Sequence, residues 1–232
     1  HDSISQVAFA AATDDSRPVL TGVLLILKGD TMTMVAADGF RMALRTSTLS
    51  KPVEEEASVI VPARAMRELG RILSDTEESV EIAITQNRNQ VLFRVGNVEL
   101  MSRLIEGQFP SFERIMPPPS PNKVVVSTGE LLNANRTAAI FARDNSNIVR
   151  LQFTPGQDGI SAGRLTITAT SAEIGDNVGE IDAVITGQPP QIAFNTRYLD
   201  DLLRALEKSS QLQLEISSPA SPGSFRPVDD EG

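Results

Sequence analysis

Cysteine and tryptophan are absent from this 232-residue chain, tyrosine occurs once, and the only histidine is the first residue. The lack of cysteine excludes disulfides and thiolate metal sites and suits a reducing compartment. Without an internal histidine, serine-hydrolase triads, zinc centres and histidine acid–base catalysis lose their usual residue. No apolar run approaches the roughly 18 residues that a membrane span needs, so no membrane partner is expected. No basic stretch leading into an apolar one marks a signal peptide. Aromatic residues make up only 4% of the chain against 41% hydrophobic residues, so the core must be built from Leu, Ile, Val, Met and Ala. The net charge of −9 argues against a protein coated in nucleic acid, although the local placement of charge decides what a surface binds.

What is present is a repeat. Met116-Pro117-Pro118-Pro119-Ser120-Pro121-Asn122 holds four prolines in seven residues and cannot lie in a helix interior or a central strand. It divides the chain into domains at 1–117 and 122–232. Lesser breaks fall at Ser50 to Ser58 and Thr154 to Gly163. Val59-Ile60-Val61-Pro62-Ala63-Arg64-Ala65-Met66 matches Ile192-Ala193-Phe194-Asn195-Thr196-Arg197-Tyr198-Leu199 at a shift of 133, and Met32 to Ala36 matches Leu165 to Ala169 at the same shift. The first pair is an apolar strand that turns straight into a helix; the second alternates as half-buried strands do. Helices are expected at 3–12, 63–74, 129–142 and 196–208. Strands are expected at 19–27, 31–36, 41–47, 59–61, 80–85, 90–95 and 98–105, then at 123–127, 148–153, 165–170, 180–185, 191–194 and 211–217. The fold class is α+β: two repeated domains, each with two helices packed on antiparallel sheets.

Three constellations could carry chemistry. Arg64, Arg67 and Arg71 are spaced to share one face of the helix at 63–74, opposite Met66, Leu69, Ile72 and Leu73. Arg197, Arg204 and Lys208 repeat the stripe on the helix at 196–208, diluted by Asp200 and Asp201. Such stripes meet a phosphate backbone without reading bases, or else are solvated helix faces. The clusters Asp14-Asp15 and Asp229-Asp230-Glu231 lie in turn-like segments with neither histidine nor a phosphate loop, which favours solvated turns over metal binding. Ala37-Asp38-Gly39-Phe40-Arg41-Met42 carries the Asp-Gly signal of a hairpin. It is either that turn alone or a greasy patch with Arg41 as polar anchor, as peptide grooves often are.

Several segments together resemble the bacterial sliding clamp, the β subunit of DNA polymerase III. They are Ala12-Thr13-Asp14-Asp15-Ser16-Arg17-Pro18-Val19-Leu20-Thr21-Gly22-Val23-Leu24, Ala37 through Ala43, Leu104-Ile105-Glu106-Gly107-Gln108-Phe109-Pro110-Ser111-Phe112-Glu113-Arg114-Ile115, and Ala193 through Leu199. Their order matches across nearly the whole chain. The resemblance implies the DNA-clamp fold, with the middle domain lacking its first strand and the third domain lacking its last strand and tail. It implies a homodimeric ring around double-stranded DNA. It also implies docking of short peptide motifs from the polymerase III catalytic subunit, the clamp loader and other replication and repair proteins. The resemblance further implies a cytoplasmic, nucleoid-associated location, with no cofactor, no metal and no catalysis. The peptide site carried over by motif comprises Leu20, Ala37, Gly39, Phe40, Arg41, Met42, Pro110, Arg114 and Ile115, with Asn195, Tyr198 and Pro222, and Ala220 beside it. Ala37 and Phe40 depart from the Thr and His most common in the family. Arg64, Arg67, Arg71, Arg136, Arg197, Arg204 and Lys208 would face DNA. Ile140, Phe141 and the strand near 180–185 would form the side of the third domain that meets the other protomer. Without that partner domain, an exposed sheet edge and a monomer in dilute solution are expected. Two other classes compete: an α+β enzyme holding a metal on Asp14, Asp15 or Asp38, and a peptide-binding repeat protein unrelated to DNA.

Overall fold

The structure, a computed structural model, describes residues 1–74, 76–156 and 162–228. The chain forms two compact units, residues 1–115 and 116–232. The first begins with helix α1 (Asp2–Ser5) and a 3-10 turn at Ala8–Ala10, with a second 3-10 turn at Pro18–Thr21. Strands β1 (Gly22–Lys28), β2 (Thr31–Ala37), β3 (Met42–Thr48) and β4 (Ala57–Pro62) follow, then helix α2 (Ala63–Leu73). Strands β5 (Val80–Ile84), β6 (Gln90–Val95) and β7 (Val98–Arg103) and a 3-10 turn at Phe112–Arg114 complete the unit. The strands make an antiparallel sheet of order β3-β2-β1-β4 and a smaller one of order β5-β6-β7.

Strand β1 is buried on both faces, which is why Val23 to Leu27 reads as an unbroken apolar run. Val23, Leu25 and Leu27 pack with Met34, Ala36 and the apolar side of α2 (Met66, Leu69 and Leu73). Leu24, Val35 and Ile60 point the other way, into a second cluster with Ala12, Leu20 and Phe109. The alternation of side chains across a pleated strand separates the two clusters.

The second unit contains β8 (Lys123–Ser127), α3 (Thr128–Ala142), β9 (Ile148–Thr154), β10 (Gly163–Ser171) and β11 (Gly175–Thr186). After these come β12 (Ile192–Asn195), α4 (Thr196–Ala205), β13 (Gln211–Glu215) and β14 (Ser224–Pro227). All seven strands join one sheet of order β12-β9-β10-β11-β8-β13-β14. The order β4-β1-β2-β3 of the first unit recurs as β12-β9-β10-β11, and in both units the strand at one end of that series (β4, β12) runs directly into a helix. Leu131, Leu132 and Ala138 of α3 and Leu199 and Leu203 of α4 bury against this sheet.

Several expectations are corrected. The helix expected at 3–12 is one turn of α1 followed by a 3-10 turn. Ile4, Val7, Ala8, Ala10 and Ala11 are all buried, more than one stripe of a helix can bury, so the chain takes an irregular path. Its freed carbonyls are satisfied from elsewhere: Arg67 Nη2 donates to Ala8 O and Arg41 Nη2 to Phe9 O, both at 3.0 Å. The strand expected from 19 begins at Gly22, because Pro18 opens a 3-10 turn that Thr21 Oγ1 closes onto Pro18 O at 2.7 Å. Helix α4 ends at Ala205, with the Leu206 N–H bonding Leu202 O at 3.1 Å, so Lys208 lies past the helix. Strand β11 starts at Gly175, earlier than its Gly- and Asn-containing sequence implies, and β14 was not foreseen.

Candidate functional site

The Ala37–Met42 hairpin is fixed by its own side chains. Asp38 Oδ1 accepts the N–H groups of Phe40 and Arg41 at 2.9 and 3.0 Å, and Asp38 Oδ2 accepts Arg41 Nε at 3.0 Å. Gly39 sits at φ +95°, a conformation glycine adopts without strain. Arg17 lies over it, donating through Nη2 to Asp38 O at 2.7 Å, and a Cβ on Gly39 would come within 2.6 Å of Arg17 Nη1. Arg41 itself is mostly buried: its guanidinium lies over the Phe9 ring, 5.3 Å from the centroid. The hairpin tip is therefore rigid, and it projects Phe40, which is 82% exposed.

Beside the tip, Leu20, Ala37 and Met42 belong to one apolar cluster floored by Phe109 and bordered by Phe112. Pro110 lies between these two phenylalanines in the chain, Arg114 and Ile115 follow them, and all three are exposed, Ile115 at 54%. The first unit thus gathers an apolar floor (Leu20, Met42), an exposed ring (Phe40) and an exposed cation (Arg114). Arg41 is engaged inside the unit. The floor phenylalanines, Arg17 and Phe9 were not singled out from the sequence. With only nine phenylalanines in the chain, Phe109 and Phe112 within one four-residue stretch were the available signal.

In the second unit Asn195 is the N-cap of α4, its side-chain oxygen accepting Arg197 N–H at 2.9 Å. Tyr198 is half-buried on α4, and Ala220 and Pro222 are exposed in the loop before β14. That loop is held near β12 by the rings of Phe194 and Phe225, 5.4 Å apart. Ile140 is 51% exposed, whereas Phe141 packs on the core. Strand β11 pairs with β10 over 175–183 but with β8 only over 183–186. Among the described residues, 180–182 therefore pair only with β10 and 184–186 only with β8, and Ala183 alone pairs with both.

Arg64, Arg67 and Arg71 are all on the exposed side of α2, as the spacing implied. Arg67 turns back onto Ala8 O, and Arg71 pairs with Glu68 at 3.2 Å. Arg197 and Arg204 are exposed on α4 and Arg136 on α3, and both Arg136 and Arg204 pair with Asp200. The side chains of Arg64 and Arg197 have no hydrogen-bond or ion-pair partner among the described residues.

The acidic residues have local work. Asp14 accepts both the N–H and the hydroxyl of Ser16, which hold its carboxyl below its ordinary pKa. Asp38 closes the hairpin. Among the described residues no three His, Cys, Asp or Glu side chains gather as a metal site. Asp229, Asp230 and Glu231 lie outside the described residues.

Two α+β units with one strand order, each launching an arginine-bearing helix from a strand, define a protein of the DNA-clamp fold class. Residues 1–111 match the model of the DNA polymerase III beta subunit central domain, and residues 113–232 that of its C-terminal domain. The beta sliding clamp of Staphylococcus aureus (strain Mu50) is 35% identical over 229 residues, covering 98% of this chain and 58% of that protein. The DNA polymerase sliding clamp of Bacillus subtilis superposes with a TM-score of 0.89 at 33% identity, over 99% of this chain and 59% of that one. That of Pseudomonas aeruginosa gives 0.87 at 29%, over 99% and 60%. The chain therefore belongs to the DNA polymerase III beta subunit family, the bacterial beta sliding clamps, and it spans about three-fifths of the length of these relatives.

Proposed function

We propose that this chain is part of a DNA polymerase processivity factor: a homodimeric ring that encircles duplex DNA without reading its sequence. The ring tethers the polymerase III catalytic subunit, the clamp loader and other motif-bearing proteins, acting in the cytoplasm on the nucleoid, without catalysis or cofactor. Peptide docking is proposed for the face built from Leu20, Met42, Phe40, Pro110, Arg114 and Ile115, whose apolar floor and flanking cation suit an extended peptide. The same role is proposed for Asn195, Tyr198 and Pro222 on the second unit, and protomer contact for Ile140, Phe141 and β11.

The observation that carries the DNA reading is a matched pair. Arg64 is the second residue of α2 and Arg197 the second of α4, and they are related by the repeat shift of 133. A cation at a helix N-terminus opposes the helix dipole, and neither helix has an acidic residue in its first turn to offset it. Helix stability does not account for either arginine. A phosphate would satisfy the guanidinium in each case and, at α2, whose N-terminus has no side-chain cap, the N-terminal amides as well.

Fluorescence anisotropy of a labelled duplex tests this reading. Arg64→Ala and Arg197→Ala should each weaken binding and reduce the slope of log K against log salt by about one. Equal affinity and slope in both variants would refute it.

A further inference from the structure

The Arg197 side chain has no ion-pair partner among the described residues, but its two basic neighbours share one carboxylate. Asp200, whose side chain is 24% exposed, accepts Arg204 Nε through Oδ2 at 2.6 Å and Arg136 Nε of α3 through Oδ1 at 3.4 Å. The bridge lies in the cleft between α3 and α4, which Asn135, Thr196 and Arg197 also line. Two of the three arginines on this face thus have their Nε donors committed within the protein, and the local charge of Arg136, Asp200 and Arg204 together is only +1.

We infer that Asp200 sets how firmly this helical face holds phosphate, by competing with the phosphate oxygens for Arg136 and Arg204. The inference rests on the duplex-holding role proposed above and adds a positioning residue to it. A carboxylate and a phosphate oxygen make the same charge-assisted hydrogen bond to a guanidinium, so the two acceptors exclude each other at Nε. Exposed ion pairs are weak enough for the exchange to occur at each passing phosphate. A surface that must hold DNA yet let it move gains from arginines that return to a partner when a phosphate leaves. Arg197 remains the standing contact, and Arg136 and Arg204 are conditional ones.

The test is anisotropy of a labelled duplex across a salt series, with Asp200→Asn beside Glu207→Gln. The second variant removes the same charge from the exposed turn just after α4 and leaves the bridge intact. Asp200→Asn should tighten binding several-fold more than Glu207→Gln does. It should also steepen the log K against log salt slope by about one to two, as newly available arginines displace more counterions. In the Asp200→Asn background, changing both Arg136 and Arg204 to Gln should abolish the gain. If Asp200→Asn matches Glu207→Gln in affinity and slope, or merely lowers the melting temperature, Asp200 is only a strut between α3 and α4 and the inference fails. If Arg64→Ala and Arg197→Ala bind duplex as the parent does, the duplex reading itself fails, and the inference with it.

Discussion

Arg41 and Phe9 are joined twice: the guanidinium lies 5.3 Å from the ring centroid, and its Nη2 donates to the Phe9 carbonyl at 3.0 Å. With Asp38 on Nε at 3.0 Å, this residue ties the hairpin tip to the irregular N-terminal segment. The Arg41 and Asp38 side chains are only 18% and 14% exposed, so the ion pair is poorly screened by water. Arg41→Ala should destabilise the first unit by about 2 kcal/mol, as for a lost hydrogen-bonded charge. Arg41→Lys should recover only part of this, because an ammonium cannot reproduce the planar fork. Urea denaturation of both variants checks it, and a parent-like midpoint for Arg41→Ala would show that these contacts contribute little.

Asn195 invites a similar separation of roles. As the N-cap of α4, it should cost about 1 kcal/mol when changed to alanine, and nearly nothing when changed to aspartate or serine, which also cap. Thermal melts of the three variants decide between a cap and a residue used only for contact. If alanine melts like the parent, the cap is not stabilising.

Asp14 gives a pH signature. Its folded pKa is lowered by the Ser16 hydrogen bonds, so the associated stabilisation is present above the unfolded value of about 3.8 and is lost as pH falls through the lower folded value. Carboxyl titration by NMR should place the Asp14 midpoint below 3.8, and Ser16→Ala should move it upward. An unchanged midpoint in the variant would mean that the turn does not form in solution.

Much of this was legible in the sequence because it rests on local signals. The Asp38-Gly39 hairpin, the strand-to-helix junctions at Pro62–Ala63 and Asn195–Thr196, and the apolar sides of α2 and α4 all follow from spacing. What was not legible depends on partners distant in the chain. Arg41 read as a free anchor, but its contacts include Phe9, 32 residues away. Arg136 and Arg204 read as two cations, but Asp200 draws them together across 64 and 4 residues. Strand β14 was hidden because Pro222, Gly223 and Pro227 surround three suitable residues. It forms because β13 offers an open edge, with Phe225 opposite Leu214.

Capture of a partner peptide on the first unit is the claim that ties the reading together, and Phe40 tests it with least ambiguity. At 82% exposed, Phe40 carries little folding energy, so Phe40→Ala should change stability by under about 0.5 kcal/mol. Leu20→Ala differs: at 5% exposed it should cost about 2–4 kcal/mol of stability as well as affinity. The decisive measurement is fluorescence polarisation of a labelled peptide carrying the family's clamp-binding motif, titrated with the parent, Phe40→Ala and Met42→Ala. The account predicts saturable binding by the parent, weakened by about 1–3 kcal/mol in each variant with folding intact. No binding by the parent, or equal affinity in all three, would contradict it.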